Sequence, residues 1–384
     1  MRHYFTNSGI NKIYAHGAIF TGAESIGWVF GPLYLLELGY SISATFLVWA
    51  GLFAVRLPMR YLYWWQIERI GLRGGVIGGL AFYAAGIAIL PSLPERPDLL
   101  PLFVGLYAAG MTLYWTAFHT LFGMIGDDDK RGNQLAMLKS LNMVISALVP
   151  GFSALIVTGL GFIWLFAISA FGMLLAAAPL LTLPMPQLKR GYAKTAEHQT
   201  ACSWIFQFHW WLGIKEYGHP FLWRVMVYLM IGSIAGFGGV MTAGLLILVV
   251  LELLVGRAVD KGNGFRLFQC GALIAQLQIL FRAFLATTPA AIIASEAMSV
   301  SSQLMGQATA NFYNQGADSE NYFHYIYIGE VGWDLGAAIS LSAMAGLIYL
   351  GAPLPWLLVA TGSIGLWGLY RINMRVRPDG AAAR

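Results

Sequence analysis

Two stretches decide the fold of this chain: WWQIERIGLRGG at residues 64–75 and VGRAVDKGNGFR at residues 255–266. Each combines glycines with charged residues, and each lies between apolar segments long enough to cross a membrane as helices. The composition agrees, because 58% of the 384 residues are hydrophobic and only 11% are charged, whereas soluble domains have about 25% charged residues. We therefore expect an integral membrane protein, which excludes a secreted enzyme, a nucleic-acid-binding domain and a disordered chain.

Apolar segments of about 20 residues, the length that crosses a bilayer as a helix, recur along the whole chain. We predict an all-α protein with a first six-helix half (1–182), a cytoplasmic linker (183–218) and a second six-helix half (219–384). The alternative is eleven spans, because GSIAGFGG at 232–239 leaves almost no loop between the seventh and eighth. The twelve predicted spans are 13–36, 43–64, 74–91, 101–122, 136–158, 161–182, 219–235, 237–256, 266–285, 288–311, 323–348 and 353–372.

The basic residues indicate the orientation of these spans. With both termini inside, 18 of the 23 Lys and Arg residues, including Lys139 and Lys215, fall at cytoplasmic ends or loops. Only Arg96 falls in an outer loop. Because cytoplasmic loops are enriched in Lys and Arg, we expect both termini on the cytoplasmic side of the cell membrane. The basic residues within spans or at their ends are Arg56, Arg60, Arg224 and Arg282.

The linker ends in WIFQFHWWLGIKEYG, where Trp204, Phe208 and Trp211 share one helical face. This pattern is typical of an amphipathic helix that lies in the membrane interface. Aromatic residues also collect at the ends of membrane spans, so the two interpretations remain open.

The two opening stretches resemble the G-x-L-x-D-R-x-G-R-[KR] loop motif of the major facilitator superfamily, which lies between helices two and three and again between eight and nine. In the first copy Trp64 replaces the leading glycine, and in the second Asn263 replaces a glycine. LYWTAFHTLF and DKRGNQLAML resemble a poorly characterised branch. The resemblance implies two halves that rock about a central cavity lined by helices one, four, seven and ten. It implies a conformational latch formed by the matching residues Glu68, Arg69, Gly71, Arg73, Gly256, Asp260 and Lys261.

Glu24 is the first candidate site residue, because it lies near the middle of the first span between Ala23 and Ser25. A charge at mid-bilayer costs about 3 kcal/mol or more, so such residues tend to be functional. We predict that Glu24 carries the coupling proton or binds substrate, with Arg56 in the second span as its neighbour. A structural ion pair between Glu24 and Arg56 is the alternative interpretation.

Polar residues also form a stripe along the tenth span. Because the residues recur every three or four positions, they share one helical face that lipid would not tolerate. We predict that this face lines the cavity, and the alternative is hydrogen bonding to neighbouring helices. The stripe consists of Glu296, Ser299, Gln303, Gln307 and Asn311.

Two further groups are candidates. Glu330 and Asp334 share a face of the eleventh span, and two neighbouring carboxylates can share a proton as a second coupling site. In the fourth span, Tyr114, Trp115 and His119 are candidate cavity aromatics. His119 is close enough to the predicted cytoplasmic end that an interfacial structural role is the alternative.

Arg56 is the one basic residue that these spans place near mid-depth, against several carboxylates. This balance favours a cationic or neutral small-molecule substrate and coupling to H+. The expected function is secondary active transport by a monomer, with no cofactor, no catalytic residues, no metal site around Cys202 or Cys270, and no nucleic-acid partner. The alternatives are a non-transporting assembly factor or receptor of the same fold, and a lipid flippase.

Overall fold

The computed structural model describes residues 7–127, 130–188, 191, 195–259, 264–306 and 321–375. These residues form helices joined by short turns, and no β-strand occurs among them. The helices are α1 (Ser8–Glu37), α2 (Ile42–Ile89), α3 (Leu100–Ile125), α4 (Arg131–Leu160), α5 (Phe162–Ala176), α6 (Ala178–Leu181), α7 (Ala196–Ile231), α8 (Ile234–Val259), α9 (Gly264–Phe284), α10 (Pro289–Ala297), α11 (Ser301–Leu304), α12 (Tyr322–Tyr349) and α13 (Leu354–Arg375).

The helices have the length and the surface of membrane spans. Within the described ranges, eight helical segments are long and apolar enough to cross a bilayer. Large apolar side chains cover their outer faces, among them Leu155 at 73% and Phe171 at 67% exposure. Water would not tolerate so much exposed apolar surface, whereas lipid does. The chain is a multi-pass membrane protein.

Gly71 divides α2 into two arms within the first of the two opening stretches. Its φ of 64° and ψ of 179° are not helical, and a positive φ strains residues with a side chain. The chain reverses here, because Tyr63 on one arm contacts Gly75 on the other and the Tyr63 hydroxyl donates to the Gly71 carbonyl at 3.2 Å. The two arms correspond to the predicted second and third spans.

The helices form two groups whose ends alternate along the chain. Helices α1–α6 pack mainly against one another, as do α7–α13, and the groups meet where α2 contacts α12 and α4 contacts α8. We call the end that holds the start of α1 and Gly71 the terminal end, and the opposite end the hairpin end. Four turn glycines with positive φ lie at the hairpin end: Gly39, Gly161, Gly232 and Gly351.

The structure corrects the predicted linker, because α7 begins at Ala196 and continues for 36 residues, about 54 Å at 1.5 Å per residue. Trp204 and Phe208 are buried and stacked on each other, so they form neither an interfacial helix nor an aromatic belt. The buried face packs on α12, where Gly332 lets the carbonyl of Phe206 approach closely. The sequence suggested a surface helix because it does not show the partner that covers these aromatics.

The close approach of α2 and α3 provides a test of how these two helices pack against each other. A Cβ atom on Gly79 would lie 2.6 Å from the backbone nitrogen of Tyr114, whereas one on the adjacent Gly78 would meet nothing within 4 Å. We predict that Gly79→Ala lowers the free energy of unfolding by about 1–3 kcal/mol through overpacking. Gly78→Ala should leave it unchanged or raise it by up to about 1 kcal/mol.

Denaturation of the purified protein in detergent, followed by tryptophan fluorescence, measures both variants. Equal stability of the two variants would contradict the packing of α2 on α3 at Gly79.

Candidate functional site

A cavity of about 530 Å³ lies between the two helix groups, a volume typical of small-molecule sites. Glu24, Arg56 and Trp115 line it from the first group. Residues of α7 and α12 line it from the second. A smaller cavity of about 250 Å³ adjoins it, and the residues that line both are Trp28, Lys215, Glu216, Pro220, Arg224 and Ser302.

Two arginines of α2 and two carboxylates of α12 form a buried ion cluster across the two groups, here called the arginine–carboxylate cluster. Arg56 Nη2 lies 3.0 Å from Asp334 Oδ1 and 3.6 Å from Glu330 Oε2. Arg60 Nη2 lies 2.7 Å from Asp334 Oδ2 and 3.1 Å from Glu330 Oε2. Arg60 also donates to Thr116 on α3 at 2.5 Å, and His119 lies 2.7 Å from Glu330 Oε1.

The cluster gives Arg60, Glu330, Asp334 and His119 defined partners. Arg60 is fully buried. Glu330 and Asp334 each face two guanidinium groups, so the opposite charges remove the repulsion that would have called for a shared proton. His119 bonds to Glu330 across the two groups, and it lines the cavity instead of serving only as an interfacial residue.

Glu24 lines the cavity. It makes no hydrogen bond or ion pair with the residues that the structure describes, and neither does Arg224, the opposite charge that acts on it. Glu24 is 13 residues, about 20 Å, from the hairpin end of α1, which is well inside a hydrocarbon layer about 30 Å thick. The expected alternative, a pair between Glu24 and Arg56, is wrong because Arg56 binds Asp334 instead.

The surplus of carboxylates expected from the sequence is not found. Lys215 is 16 residues, about 24 Å, from the hairpin end of α7, so it lies in the middle of a long helix and not in a loop. Lys139 also lines the cavity from α4. Among the described residues, the basic side chains that line the two cavities are Arg56, Lys139, Lys215, Arg224 and Arg282, and the acidic ones are Glu24, Glu216, Glu296 and Glu330.

The first residues of the predicted polar stripe bind other helices. Glu296 lies 2.7 Å from Arg282 on α9 and accepts from the indole N–H of Trp223 on α7 at 2.6 Å. Ser299 bonds to Gln278 at 2.7 Å. Interhelical hydrogen bonding, the alternative interpretation, therefore describes this end of the stripe, although Glu296 and Ser299 also reach the wall of the smaller cavity.

Gln303, the next residue of the stripe, turns away from the predicted face. A 3₁₀ turn at Met298–Val300 separates α10 from α11, and its tighter winding rotates the residues that follow. As a result Ser302 and Met305 line the large cavity, and Gln303 is half-buried beside them. Gln307 and Asn311 lie outside the described residues.

The predicted aromatics divide into one wall residue and one residue behind the wall. Trp115 lines the cavity and donates its indole N–H to the Tyr83 hydroxyl at 3.1 Å. Tyr114 is fully buried, and its hydroxyl bonds to His16 Nε2 at 2.8 Å. Tyr114 thus supports the cavity wall and is not part of the lining. The sequence could not separate the two, because adjacent helical residues differ only in the direction they face.

The first copy of the loop motif reaches both helix groups: Trp64 packs on Tyr327 of α12, whereas Arg73 stays within the first group. Arg73 donates to the carbonyl of Leu181 at 2.6 Å and to that of Leu183 at 2.9 Å, so it caps the end of α6 and does not latch the two groups. Glu68 and Arg69 are exposed at the terminal end. In the second copy Gly256 lies in α8, whereas Asp260 and Lys261 lie outside the described residues.

The buried cluster predicts a large effect of removing one charge. Asp334→Asn leaves two guanidinium groups facing one carboxylate, and an uncompensated buried charge costs about 3–5 kcal/mol. We expect that loss in the free energy of unfolding, and the double variant Arg60→Met with Asp334→Leu should recover most of it. Asp98→Asn, in the exposed Arg96–Asp98 pair, should leave the free energy of unfolding nearly unchanged, because water screens exposed ion pairs. A loss for Asp334→Asn no larger than that of Asp98→Asn would contradict the cluster.

The corrected face of α11 predicts which positions meet water. In a Cys270→Ser background, Ser302→Cys and Met305→Cys should react with a small water-soluble thiol reagent faster than Gln303→Cys. Cys202 serves as an internal reference because it is buried. Faster labelling at position 303 than at 302 would show that the originally predicted face is the one in the cavity.

Comparison with proteins of known structure identifies the fold of this chain. No protein-family model and no curated protein matches the chain. A variant of the E. coli fucose:proton symporter FucP matches with a TM-score of 0.65 at 14% identity, over 96% of this chain and 98% of that one. FucP in the outward conformation matches with a TM-score of 0.67 at 13% identity, over 97% and 99% of the chains. An auto-inhibited POT family peptide transporter matches with a TM-score of 0.64 at 12% identity, over 96% and 97%. The resemblance predicted from the loop motifs is confirmed at the level of the fold, which is that of the major facilitator superfamily transporters.

Proposed function

We propose that this chain is a secondary active transporter that moves a small molecule by alternating access and couples the movement to protons. The observation that carries the proposal is Glu24, a carboxylate without a fixed partner in the wall of a cavity between the two helix groups. Such a cavity between two halves is where secondary transporters bind substrate and coupling ions. The match to a fucose:proton symporter supports the same class of activity.

The proposal includes a topology of twelve spans with both termini in the cytoplasm. Among the residues that the structure describes, the two arms of α2 count separately, and α5 with α6 and α10 with α11 each count as one. This gives twelve helical segments that alternate in direction, which supports the proposed topology. Lys12, Lys130 and Arg371 lie toward the terminal end, and Arg96 lies in a turn at the hairpin end. The enrichment of basic residues on the cytoplasmic side supports a cytoplasmic terminal end.

Alternating access requires the two helix groups to move as bodies. The contacts of α2 with α12 and of α4 with α8 are the surfaces about which they would rock. At the hairpin end the groups touch, because the Ser43 hydroxyl donates to the Ala345 carbonyl at 2.7 Å and Tyr228 hydrogen-bonds to Glu37. These contacts close the hairpin end and must break when the cavity opens there. Glu68 and Asp260 remain the proposed latch at the terminal end.

Glu24 is the proposed proton carrier because the other carboxylates of the cavity wall have fixed partners. Glu330 faces Arg60 and His119, Glu296 binds Arg282, and Glu216 lies 2.7 Å from Lys215. A charged and unpaired carboxylate within the bilayer is costly, so Glu24 is stabilised when it gains a proton or when Arg224 approaches it. Movement of the groups can change the distance to Arg224 and thereby the proton affinity of Glu24.

The wall of the cavity narrows the proposed class of substrate. Basic and acidic side chains are nearly balanced, which favours a neutral or zwitterionic molecule and gives less support to a purely cationic one. Trp28, Trp115 and Trp333 add flat apolar surface to the same wall. A molecule with one apolar face and polar groups at both ends would satisfy these features.

The test of this function is flux into liposomes that hold the purified chain. Neutral, zwitterionic, cationic and anionic labelled compounds are offered under an imposed pH gradient. We expect accumulation of at least one neutral or zwitterionic compound, abolished when a protonophore removes the gradient. A folded protein that moves no compound in any class would favour the non-transporting alternatives, and scrambling of labelled lipid would favour a flippase.

Glu24→Gln provides the sharper prediction, because glutamine resembles the protonated carboxyl but cannot release a proton. Accumulation driven by the pH gradient should fall at least tenfold, whereas exchange of substrate down its own gradient should persist. Glu95→Gln, at an exposed turn residue, is the control and should accumulate substrate normally. If Glu24→Gln still concentrates substrate in response to pH, Glu24 is not the carrier.

A further inference from the structure

Three metal-ligating side chains converge outside the cavity, near the terminal end of the second helix group. His198 and Cys202 lie one turn apart on α7, and His324 lies in the first turn of α12. One ligand atom of each lies within 4.8 Å of the others. All three residues are buried, with exposed fractions of 3%, 7% and 8%.

The two distances from His324 to the other ligands fit the edges of a tetrahedral metal site. His198 Nε2 lies 3.3 Å from His324 Nδ1, and Cys202 Sγ lies 3.7 Å from the same nitrogen. With zinc bonds of about 2.0–2.1 Å to nitrogen and 2.3 Å to sulfur, tetrahedral ligands are about 3.3–3.6 Å apart. We propose that His198, Cys202 and His324 bind one Zn²⁺ ion, a site distinct from the cavity.

The fold holds the three ligands in place before any metal arrives. A spacing of four residues puts His198 and Cys202 on the same face of α7, as in helices that present paired zinc ligands. The Asn321 side chain caps α12 by accepting from the backbone N–H of His324 at 3.0 Å. The close contact of Gly332 with Phe206 fixes the distance between the two helices, so binding requires little rearrangement.

The donor set selects the class of metal. One thiolate and two imidazoles suit Zn²⁺ and other borderline or soft ions, whereas Mg²⁺ and Ca²⁺ prefer oxygen ligands. Three protein ligands leave a fourth position for water or another donor. Because the metal would link the starts of α7 and α12, its binding should raise the stability of this pair of helices.

The test uses the full-length protein purified in detergent, equilibrated with Zn²⁺ and passed through a weak chelating column. Mass spectrometry of the metal content should then find one zinc per wild-type chain. Cys270→Ser, which removes the exposed cysteine, should also retain one zinc. Cys202→Ser and His324→Gln should each lose at least nine-tenths of it. If either variant does not fold, His198→Gln takes its place.

Cobalt gives a second readout that depends on the ligands. Co²⁺ added to the wild-type protein should give the visible bands of a tetrahedral site together with a near-ultraviolet band from sulfur to cobalt. The sulfur band should be absent from Cys202→Ser. Failure of the wild-type chain to retain zinc would overturn the proposal. Equal retention of zinc by the ligand variants would also overturn it and would identify an adventitious ion only. Neither result depends on transport.

Discussion

The arginine–carboxylate cluster is the interaction on which the arrangement of the two helix groups depends. Arg56 and Arg60 are one turn apart on α2, and Glu330 and Asp334 are one turn apart on α12, so matched spacing lets each guanidinium reach both carboxylates. Burying these charges is costly unless all of them are paired. A slip of either helix by one residue would separate them, so the cluster sets the register of α2 against α12 and thereby the side-by-side position of the groups.

That pairing also determines which charges remain available for chemistry. Four of the buried ionisable groups compensate one another in the cluster, and Arg282 and Glu296 do so on the other side of the cavity. Glu24 and Arg224 are left facing the cavity from opposite helix groups without an ion pair among the described residues. The attraction between opposite charges on two bodies changes with the distance between the bodies. In the proposed transport cycle, this change would couple the movement of the helix groups to proton binding at Glu24. A substrate that binds between them would screen or replace that attraction.

The sequence predicted what depends on local pattern and missed what depends on a distant partner. The lengths of the apolar segments located nearly every described helix, and the loop motif at 64–75 marked the reversal between the arms of α2. The partner of Arg60 lies 274 residues away at Asp334, and no spacing in a single sequence indicates that distance. The same limit explains Lys215, which looked cytoplasmic only because the start of α7 is polar and the helix that covers its aromatic face is far along the chain.

Helix α12 carries residues of the proposed zinc site, of the contacts between the two helix groups and of the arginine–carboxylate cluster. Its first turn carries His324 of the proposed zinc site, beside Tyr322, which contacts Gly123 of the first helix group. Phe323 packs on Tyr63 across the same boundary. The carboxylates of the buried cluster follow two to three turns further along. A helix that is bound to its own group at one end and to the other group along its length cannot tilt without disturbing both sets of contacts. Zinc bound at the proposed site would therefore restrict the movement of the two groups, even though the metal would touch only one of them.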